Sequence, residues 1–206
     1  MIDWTAVATV FSVYCVGVIS PGPNFVAVSH RAAATTRSQA LALVAGIVLV
    51  NLFWAASAIL GIGIVFTAFP WVALLVKFTG AAYLIWFGWK LLTSTHPLST
   101  SEAEEAQKTN LTQAFVHGIA TNIANPKSVA FYAAVFSSAA PAQVNFGTLL
   151  AMLSVVGVIA FIWYGSVAVV LSHAPFAAAY RAQKRWIDRT CGVLIMALGI
   201  RQGLNK

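Results

Sequence analysis

Long apolar runs without charged residues alternate with short polar segments along the whole sequence. The first run extends from Trp4 to Ser29 and contains no charged residue. A membrane-spanning helix needs roughly 20 mostly apolar residues, so this run is long enough to cross a bilayer. The same pattern predicts six spans, at about 4–29, 39–68, 71–92, 111–138, 146–171 and 186–204. We therefore expect an all-α integral membrane protein.

Charged residues interrupt the third and sixth predicted spans. Lys77 and Lys90 enclose 12 uncharged residues, and Arg189 and Arg201 enclose 11. Because long basic side chains near helix ends can extend to the headgroups, both segments can still cross the membrane. A chain with five spans stays open as the alternative.

The composition agrees with a membrane protein. Charged residues make up 8% of the chain, hydrophobic residues 60%, and the mean hydropathy is +0.83. Soluble domains carry about 25% charged residues. The net charge of +7 comes from basic residues between the apolar runs, which indicates membrane topology rather than nucleic-acid binding.

Two internal similarities divide the chain into halves. The segment "NLFWAAS" at 51–57 resembles "AFIWYGS" at 160–166, and "GAAYLIWFGWK" at 80–90 resembles "GVLIMALGIR" at 192–201. We therefore expect one transporter domain over 1–206, with repeat 1 at about 1–92, a polar linker at 93–110 and repeat 2 at about 111–206. An odd number of spans in each half forces the two halves into opposite orientations, an inverted repeat.

The basic residues predict the orientation in the membrane. Those that flank the loops after spans one, three and five outnumber those on the other side by eight to three. The positive-inside rule assigns the richer side to the cytoplasm, so both termini are predicted to lie outside. The eight are Arg31, Arg37, Lys90, Lys108, Arg181, Lys184, Arg185 and Arg189, and the three are Lys77, Arg201 and Lys206.

Prolines break the first predicted helix of each half. Pro21 has no N–H to donate to the carbonyl of Gly17, and Pro126 likewise releases the carbonyl of Asn122. In hydrocarbon an unsatisfied backbone group costs several kcal/mol, so such breaks survive only where protein or a water-filled cavity covers them. Paired discontinuous helices at corresponding positions indicate a transporter's binding site.

The residues around the breaks suit a zwitterion. Half-helix N-termini after Pro23 and Pro126, together with the ammonium of Lys127, could bind a carboxylate. Freed carbonyls and asparagine side chains could bind an ammonium, so the predicted substrate is an amino acid. The predicted binding residues are Pro21, Gly22, Pro23, Asn24, Asn51, Asn122, Asn125, Pro126 and Lys127. Asn51 can equally serve helix packing, and we expect Tyr83, Trp163 and Tyr164 to be packing or interfacial aromatics.

Three other classes of protein remain open. A thiol-based electron relay would need cysteines in the first and fourth helices, but Cys191 falls in the sixth. A scaffold would not depend on Lys127. An exporter of metal or inorganic ions would need carboxylate or histidine clusters in the membrane. We expect neither a catalytic site, a cofactor nor a metal ion, whereas a homo-oligomer is left open.

At these motifs the chain resembles the lysine exporter family, the LysE/RhtB group of bacterial amino acid exporters. The resemblance rests on "SPGPNF", "ALVAGIVLVNLFW", "FTGAAYLIWFGWKLL" and "TNIANPKSVAFYAAVF", and it covers essentially the whole chain. It implies a multi-pass bacterial inner-membrane protein with six helices that exports small amino acids, energised by the proton gradient. It also implies functional roles for Pro21, Gly22, Pro23, Asn24, Asn125, Pro126 and Lys127.

The chain departs from this family at Asn51, where members often carry an acidic residue. No predicted span contains Asp or Glu in its interior, since Asp3 and Asp188 lie at the ends of spans. We therefore expect neutral substrates, similar to homoserine or threonine, rather than dibasic ones. Proton coupling would then rest on His117, Lys127, Asp188 or protons carried by the substrate.

Overall fold

The computed structural model describes residues 1–19, 22–62, 68–93, 109–132 and 144–204. These residues form eight α-helices and no strand. The helices are α1 (Trp4–Ile19), α2 (Pro23–Ala34), α3 (Arg37–Ser57), α4 (Pro70–Thr93), α5 (Leu111–Ile123), α6 (Pro126–Ala130), α7 (Phe146–Leu171) and α8 (Ala174–Leu204). The predicted all-α fold is confirmed for this part of the chain.

Two of the described helices are long and apolar enough to cross a membrane unaided. They are Arg37–Gly61, which is α3 with the π-helical turn that extends it, and Phe146–Leu171. The pair α1 and α2 meets at 57° and would make a third span if it crosses as one bent unit. The six predicted spans therefore stay a prediction.

Side-chain caps begin several of these helices, including α3, α5 and α7. Thr36 and Gln39 form a reciprocal capping box at the start of α3, and Asn110 and Gln113 form another at the start of α5. The side chain of Asn145 accepts a hydrogen bond from the backbone N–H of Thr148 at the start of α7. These caps satisfy N–H groups that have no partner within the helix.

The sixth predicted span begins earlier than expected. The sequence suggested a start at Trp186 after a basic loop, but α8 is helical from Ala174. The prediction was wrong because it followed hydropathy alone. The intervening segment is rich in Ala, Arg, Lys and Gln, which favour helix, and Pro175 lies in its first turn, where proline is tolerated. The basic residues assigned to this loop are therefore helical.

Two other predicted spans contain a break within the described residues, and the break before Pro126 is the predicted one. The helix predicted over 39–68 continues in the described residues to Ile62, and Gly61 has a positive φ of 154°. The span predicted over 111–138 is interrupted between Ile123 and Pro126. Pro21, most of the polar linker, including Lys108, the part of the fourth span after residue 132, and Lys206 lie outside the described residues.

Glycines bring helices from the two halves into close contact. A Cβ atom added at Gly118 of α5 would overlap the carbonyl oxygen of Leu43 in α3, and one at Gly46 would overlap that of Phe115. The polar contacts between the two segments rise together along the chain, from Gln39 with Thr109 just before α5 to Asn51 with Asn122, so the two helices run parallel. The contacts of α4 with α8 run in the opposite sense, from Gly88 with Gly192 to Ala81 with Gly199.

Polar contacts fasten the two ends of the bundle. At one end, the guanidinium of Arg31 donates to Thr109 Oγ1 at 2.8 Å, and that of Arg181 donates to the carbonyl of Ala33 at 2.6 Å. At the other end of the α1–α2 pair, the N–H of Asp3 donates to Thr148 Oγ1 at 3.0 Å. Arg31 and Arg181, two of the basic residues predicted to be cytoplasmic, therefore lie at the same end of the bundle.

The glycine contacts give a first prediction. Gly118→Ala is expected to destabilise the protein by about 1–3 kcal/mol, because the added methyl group overpacks a backbone contact. Gly165→Ala is the matched control, since Gly165 is buried in α7 but an added Cβ has nothing within 4 Å. The apparent melting temperature in detergent checks both variants. Equal melting temperatures for Gly118→Ala and the wild type would contradict the prediction.

Candidate functional site

The proline breaks of the two halves lie against each other. Gly17 belongs to the last turn of α1, and Lys127 belongs to the first turn of α6. The Lys127 ammonium donates to the Gly17 carbonyl over 3.3 Å. This is the carbonyl to which Pro21 cannot donate. A basic side chain of the second half therefore compensates a backbone group released in the first half, at the negative end of the α1 dipole.

The two helices that restart after the breaks do so in different ways. Gly22 precedes α2 in an extended conformation without a side-chain cap. Asn125 precedes α6, and its Oδ1 accepts from the N–H of Lys127 at 3.0 Å, so its side chain caps the helix. The N–H groups of Ser128 and Val129 also donate to Asn125, through its carbonyl. The start of α6 therefore has fewer free donors for an anion than the sequence suggested.

A buried network of amides connects the breaks to α3. Asn122 is its centre and is fully buried. Its Oδ1 accepts from Asn24 Nδ2 at 2.9 Å and from Ser128 Oγ at 2.7 Å. Its Nδ2 donates to Asn51 Oδ1 at 2.9 Å and to the Ile47 carbonyl at 2.8 Å. All four hydrogen-bonding positions of this amide are thus used.

Asn24, which follows the first break, is hydrogen-bonded to two asparagines beside the second break. Its Oδ1 accepts from Asn125 Nδ2 at 3.0 Å, while its own amide donates to Asn122. Asn24, Asn51 and Asn125 are all buried as well. The predicted asparagines of both halves therefore form one continuous chain of hydrogen bonds.

These groups line a small polar cavity. Its volume is about 30 Å³, which holds about one or two water molecules. Five predicted residues line it, namely Gly22, Asn24, Asn51, Asn125 and Lys127. The remaining lining residues are Tyr14, Gly17, Val18, Ser128, Phe131, Tyr132 and Tyr164.

The other predicted site residues that the structure describes do not line the cavity. Asn122 orients its neighbours without lining the cavity, and Pro23 and Pro126 are the first residues of α2 and α6. Pro21 lies outside the described residues. Tyr14 and Tyr132 were not anticipated, and Tyr164, expected to be a packing aromatic, also faces the cavity. Sequence offered only a weak signal, since Tyr14 lies one helical turn before Gly17.

Two of the candidate proton carriers, His117 and Asp188, lie at the end of the bundle where Arg31 is found, whereas Lys127 lines the cavity. His117 Nδ1 is 3.1 Å from the Arg31 guanidinium, whose pKa is lowered by burial. Asp188 does not lie at a helix end, as the sequence suggested, because α8 extends past it in both directions. Its side chain is buried and contacts Lys184 and His30.

No group of three or more His, Cys, Asp or Glu side chains in the described part of the chain is arranged to hold a metal ion. Cys15 and Cys191 are both free thiols. Cys191 packs in a cluster with Leu84 and Ile195, whereas Cys15 belongs to α1. This arrangement gives a thiol relay no support.

Comparison with known proteins agrees with the resemblance found in the sequence. The family profile described as "LysE type translocator" matches residues 15–205. The threonine efflux protein of Escherichia coli K12 is 28% identical over 200 residues, which cover 96% of this chain and 97% of that protein. The threonine efflux protein of Salmonella typhi is 27% identical over 203 residues, again covering 96% and 97%. No solved structure gave a significant match.

The amide network gives a second prediction. Asn122→Leu is expected to lower the stability of the folded protein, because each buried partner left without a hydrogen bond costs about 1–3 kcal/mol. Asn145→Ser is the control, since Asn145 is an exposed helix cap whose role serine can take over. Thermal unfolding in detergent compares the two variants. If Asn122→Leu has the same melting temperature as the wild type, the network does not stabilise the breaks.

Proposed function

The chain belongs to the LysE type translocator family, and we propose that it exports neutral amino acids across a bacterial inner membrane. The observation that carries this proposal is the meeting of two broken helices, one from each half, around a polar cavity with a partly buried lysine. Secondary transporters bind substrate in such a place, where irregular backbone lines a cavity near the bilayer midplane.

The cavity contains partners for both charged groups of an amino acid. The Lys127 ammonium can bind a carboxylate, and the N-terminus of the twelve-residue α2 adds the positive end of a helix dipole. The Gly17 carbonyl and the amide oxygens of Asn51 and Asn125 are acceptors for an ammonium. Tyr14 and Tyr164 provide hydroxyl groups beside these acceptors, which suits a small side chain that carries a hydroxyl.

The absence of an acidic lining residue favours neutral over dibasic substrates. None of the described residues around the cavity is Asp or Glu, and Asn51 offers an uncharged amide there. A second ammonium or a guanidinium would be buried without a carboxylate partner, which is costly. The names of the relatives as threonine efflux proteins agree with this preference.

An amino acid does not fit the cavity as described. Small-molecule sites usually have volumes of about 300–1,000 Å³, far above the 30 Å³ found here. We therefore propose an alternating-access cycle in which α1 and α2 separate from α6 to admit the substrate. The conformation described would be the closed one between two open states.

The packing of α4 against α8 supports six spans arranged as an inverted repeat. Gly88 and Gly199 correspond in the two halves at an offset of 111 residues, which also relates Ala81 to Gly192. The close contact of Gly88 with the Gly192 carbonyl, at 2.6 Å from an added Cβ, then maps onto that of Gly199 with the Ala81 carbonyl, at 2.9 Å. Contacts that exchange under the sequence offset are those expected of two halves related by a two-fold axis.

We further propose that the proton gradient drives export and that no cofactor takes part. Proton-driven export requires a titratable group that alternates between the two sides of the membrane. The cavity residues offer Lys127 and tyrosines, but no carboxylate. An exporter of another small solute remains the alternative, and the measurement below separates the two.

Efflux from preloaded cells gives the third prediction. Cells that express the protein should lose labelled threonine and homoserine faster than control cells. Lys127→Met should lower this rate by about 10–100-fold, since a charge-assisted hydrogen bond is worth about 1.5–3 kcal/mol. Lys90→Met is the matched control, because Lys90 is exposed over the ring of Trp86. All variants are compared at equal membrane expression.

The same efflux measurement can contradict the proposal in two ways. Faster loss of lysine or arginine than of threonine would contradict the preference for neutral substrates. Equal rates in wild type, Lys127→Met and empty cells would contradict amino acid export for the solutes tested. A panel of other small labelled solutes would then test the alternative.

Cysteine labelling gives a fourth prediction, on orientation. Thr36 and Asn145 are exposed helix caps at the starts of α3 and α7. In a background without Cys15 and Cys191, an impermeant thiol reagent should label Asn145→Cys in intact cells. Thr36→Cys should react only after the cells are permeabilised. The reverse pattern would contradict a cytoplasmic position for the end of the bundle that carries Arg31 and Arg181.

A further inference from the structure

A cluster of ionisable side chains around the buried Asp188 joins α2 to α8 outside the cavity. Asp188 Oδ2 accepts from the Lys184 ammonium at 2.6 Å, and Asp188 Oδ1 lies 3.3 Å from His30 Nε2. Asp188 is 1% exposed. Of the two acidic residues in the described part of the chain, Asp3 is exposed near the N-terminus, so Asp188 is the buried carboxylate.

Among the described residues, the other groups beside Asp188 are uncharged. On its own helix, Tyr180 and Cys191 approach it as neutral groups, and burial raises the pKa of the Tyr180 hydroxyl well above its usual value. The Tyr180 ring stands edge-on to His30 at 6.2 Å. From α4, Leu84 and Leu91 complete the apolar cluster that contains Cys191.

Burying ionisable side chains between two helices has a high desolvation cost. Removing a carboxylate and an ammonium from water costs more than their attraction usually returns, and well-packed apolar residues often stabilise as well or better. The cluster is therefore weak evidence for a purely structural role. Ionisable residues buried in a transporter are by default functional candidates.

The position of His30 connects this cluster to the cavity. His30 and Asn24 lie on the same short helix, α2, six residues apart, which corresponds to about 9 Å along the helix axis. Asn24 belongs to the cavity lining, and His30 belongs to the cluster. A displacement of α2 as a rigid helix would therefore alter both places together.

The same end of α2 is also tied to α5. Arg31 donates to Thr109 and lies beside His117, and Arg181 of α8 binds the carbonyl of Ala33. These contacts hold the end of α2 between α5 and α8. Of the contacts that α2 makes at this end, the one with Asp188 involves a carboxylate. A proton bound to that carboxylate would remove its charge and weaken the contact with His30.

We propose that Asp188 is the proton-binding residue of the transport cycle and that its contact with His30 latches α2 against α8. A proton taken from outside neutralises the carboxylate and removes the attraction that holds His30 and Lys184. The latch then opens on the cytoplasmic side, the proton leaves to the cytoplasm, and the amino acid enters. The substrate-loaded protein then closes on the cytoplasmic side and releases the amino acid outside, whereas the empty protein returns only with Asp188 protonated, which balances one proton in against one amino acid out.

This inference rests on the proposed function, so the experiment measures transport and coupling separately. Purified protein in liposomes is tested for exchange of labelled threonine at equal pH and for threonine flux driven by a pH gradient. Asp188→Asn is expected to continue exchange while losing at least 90% of the acceleration by the gradient. Asp3→Asn is the matched control and should behave as the wild type does in both measurements.

A second variant tests whether Asp188 is only a structural partner of Lys184. Asp188→Asn leaves the ammonium buried without its anion, which can impair folding, whereas Asp188→Asn with Lys184→Gln leaves a neutral pair. The proposal predicts that this double variant exchanges threonine but does not respond to the gradient. Gradient-driven flux in the double variant at the wild-type rate would overturn the proposal, because it would show a purely structural ion pair.

The remaining outcomes separate the inference from the proposed function. If the wild type neither exchanges threonine nor carries gradient-driven flux, the proposed function fails, and the inference fails with it. If the wild type is coupled and Asp188→Asn is coupled as well, the inference alone is overturned. Loss of exchange in both variants, although each elutes as a monodisperse protein, would overturn it too.

Discussion

The constraint on which this structure depends is the satisfaction of backbone groups at two breaks within apolar helices. Hydrocarbon offers no partner to a carbonyl that a proline has released, so protein must supply one. The Lys127 ammonium donates a hydrogen bond to the carbonyl of Gly17. The side chain of Asn125 accepts a hydrogen bond from the N–H of Lys127. Because one compensating group belongs to the half opposite the carbonyl it serves, the two breaks must lie together.

The glycine contacts make this arrangement possible at a distance from the breaks. Gly118 precedes Asn122 by about one helical turn, and Gly46 lies a similar distance before Asn51. Their lack of side chains brings α3 and α5 together closely enough for the two amides to reach each other at 2.9 Å. Packing between parallel helices therefore sets the register of the polar network, and the network in turn fixes where the helices end.

The sequence predicted those features that are written locally. The bounds of α4 and α7 follow from apolar runs, and the start of α6 follows from the Asn125–Pro126 pair. The early start of α8 was missed because its basic first turns have helix propensity but no hydropathy signal. The burial of Asp188 could not be predicted, since its partner His30 is 158 residues away. The three cavity tyrosines were missed because tyrosine packs in many helices without lining a site.

The cavity and the charged cluster impose opposite demands on the one helix that joins them. In the proposed cycle, an amino acid enters only if Asn24 and Lys127 give up the hydrogen bonds described here, and the substrate must replace those bonds to make the exchange favourable. The charged cluster, by contrast, holds the far end of α2 in place while Asp188 carries its charge. A helix of twelve residues is too short to absorb such a conflict by bending. In the proposed cycle it therefore moves as a unit, so that a change at either end alters the free energy of the other.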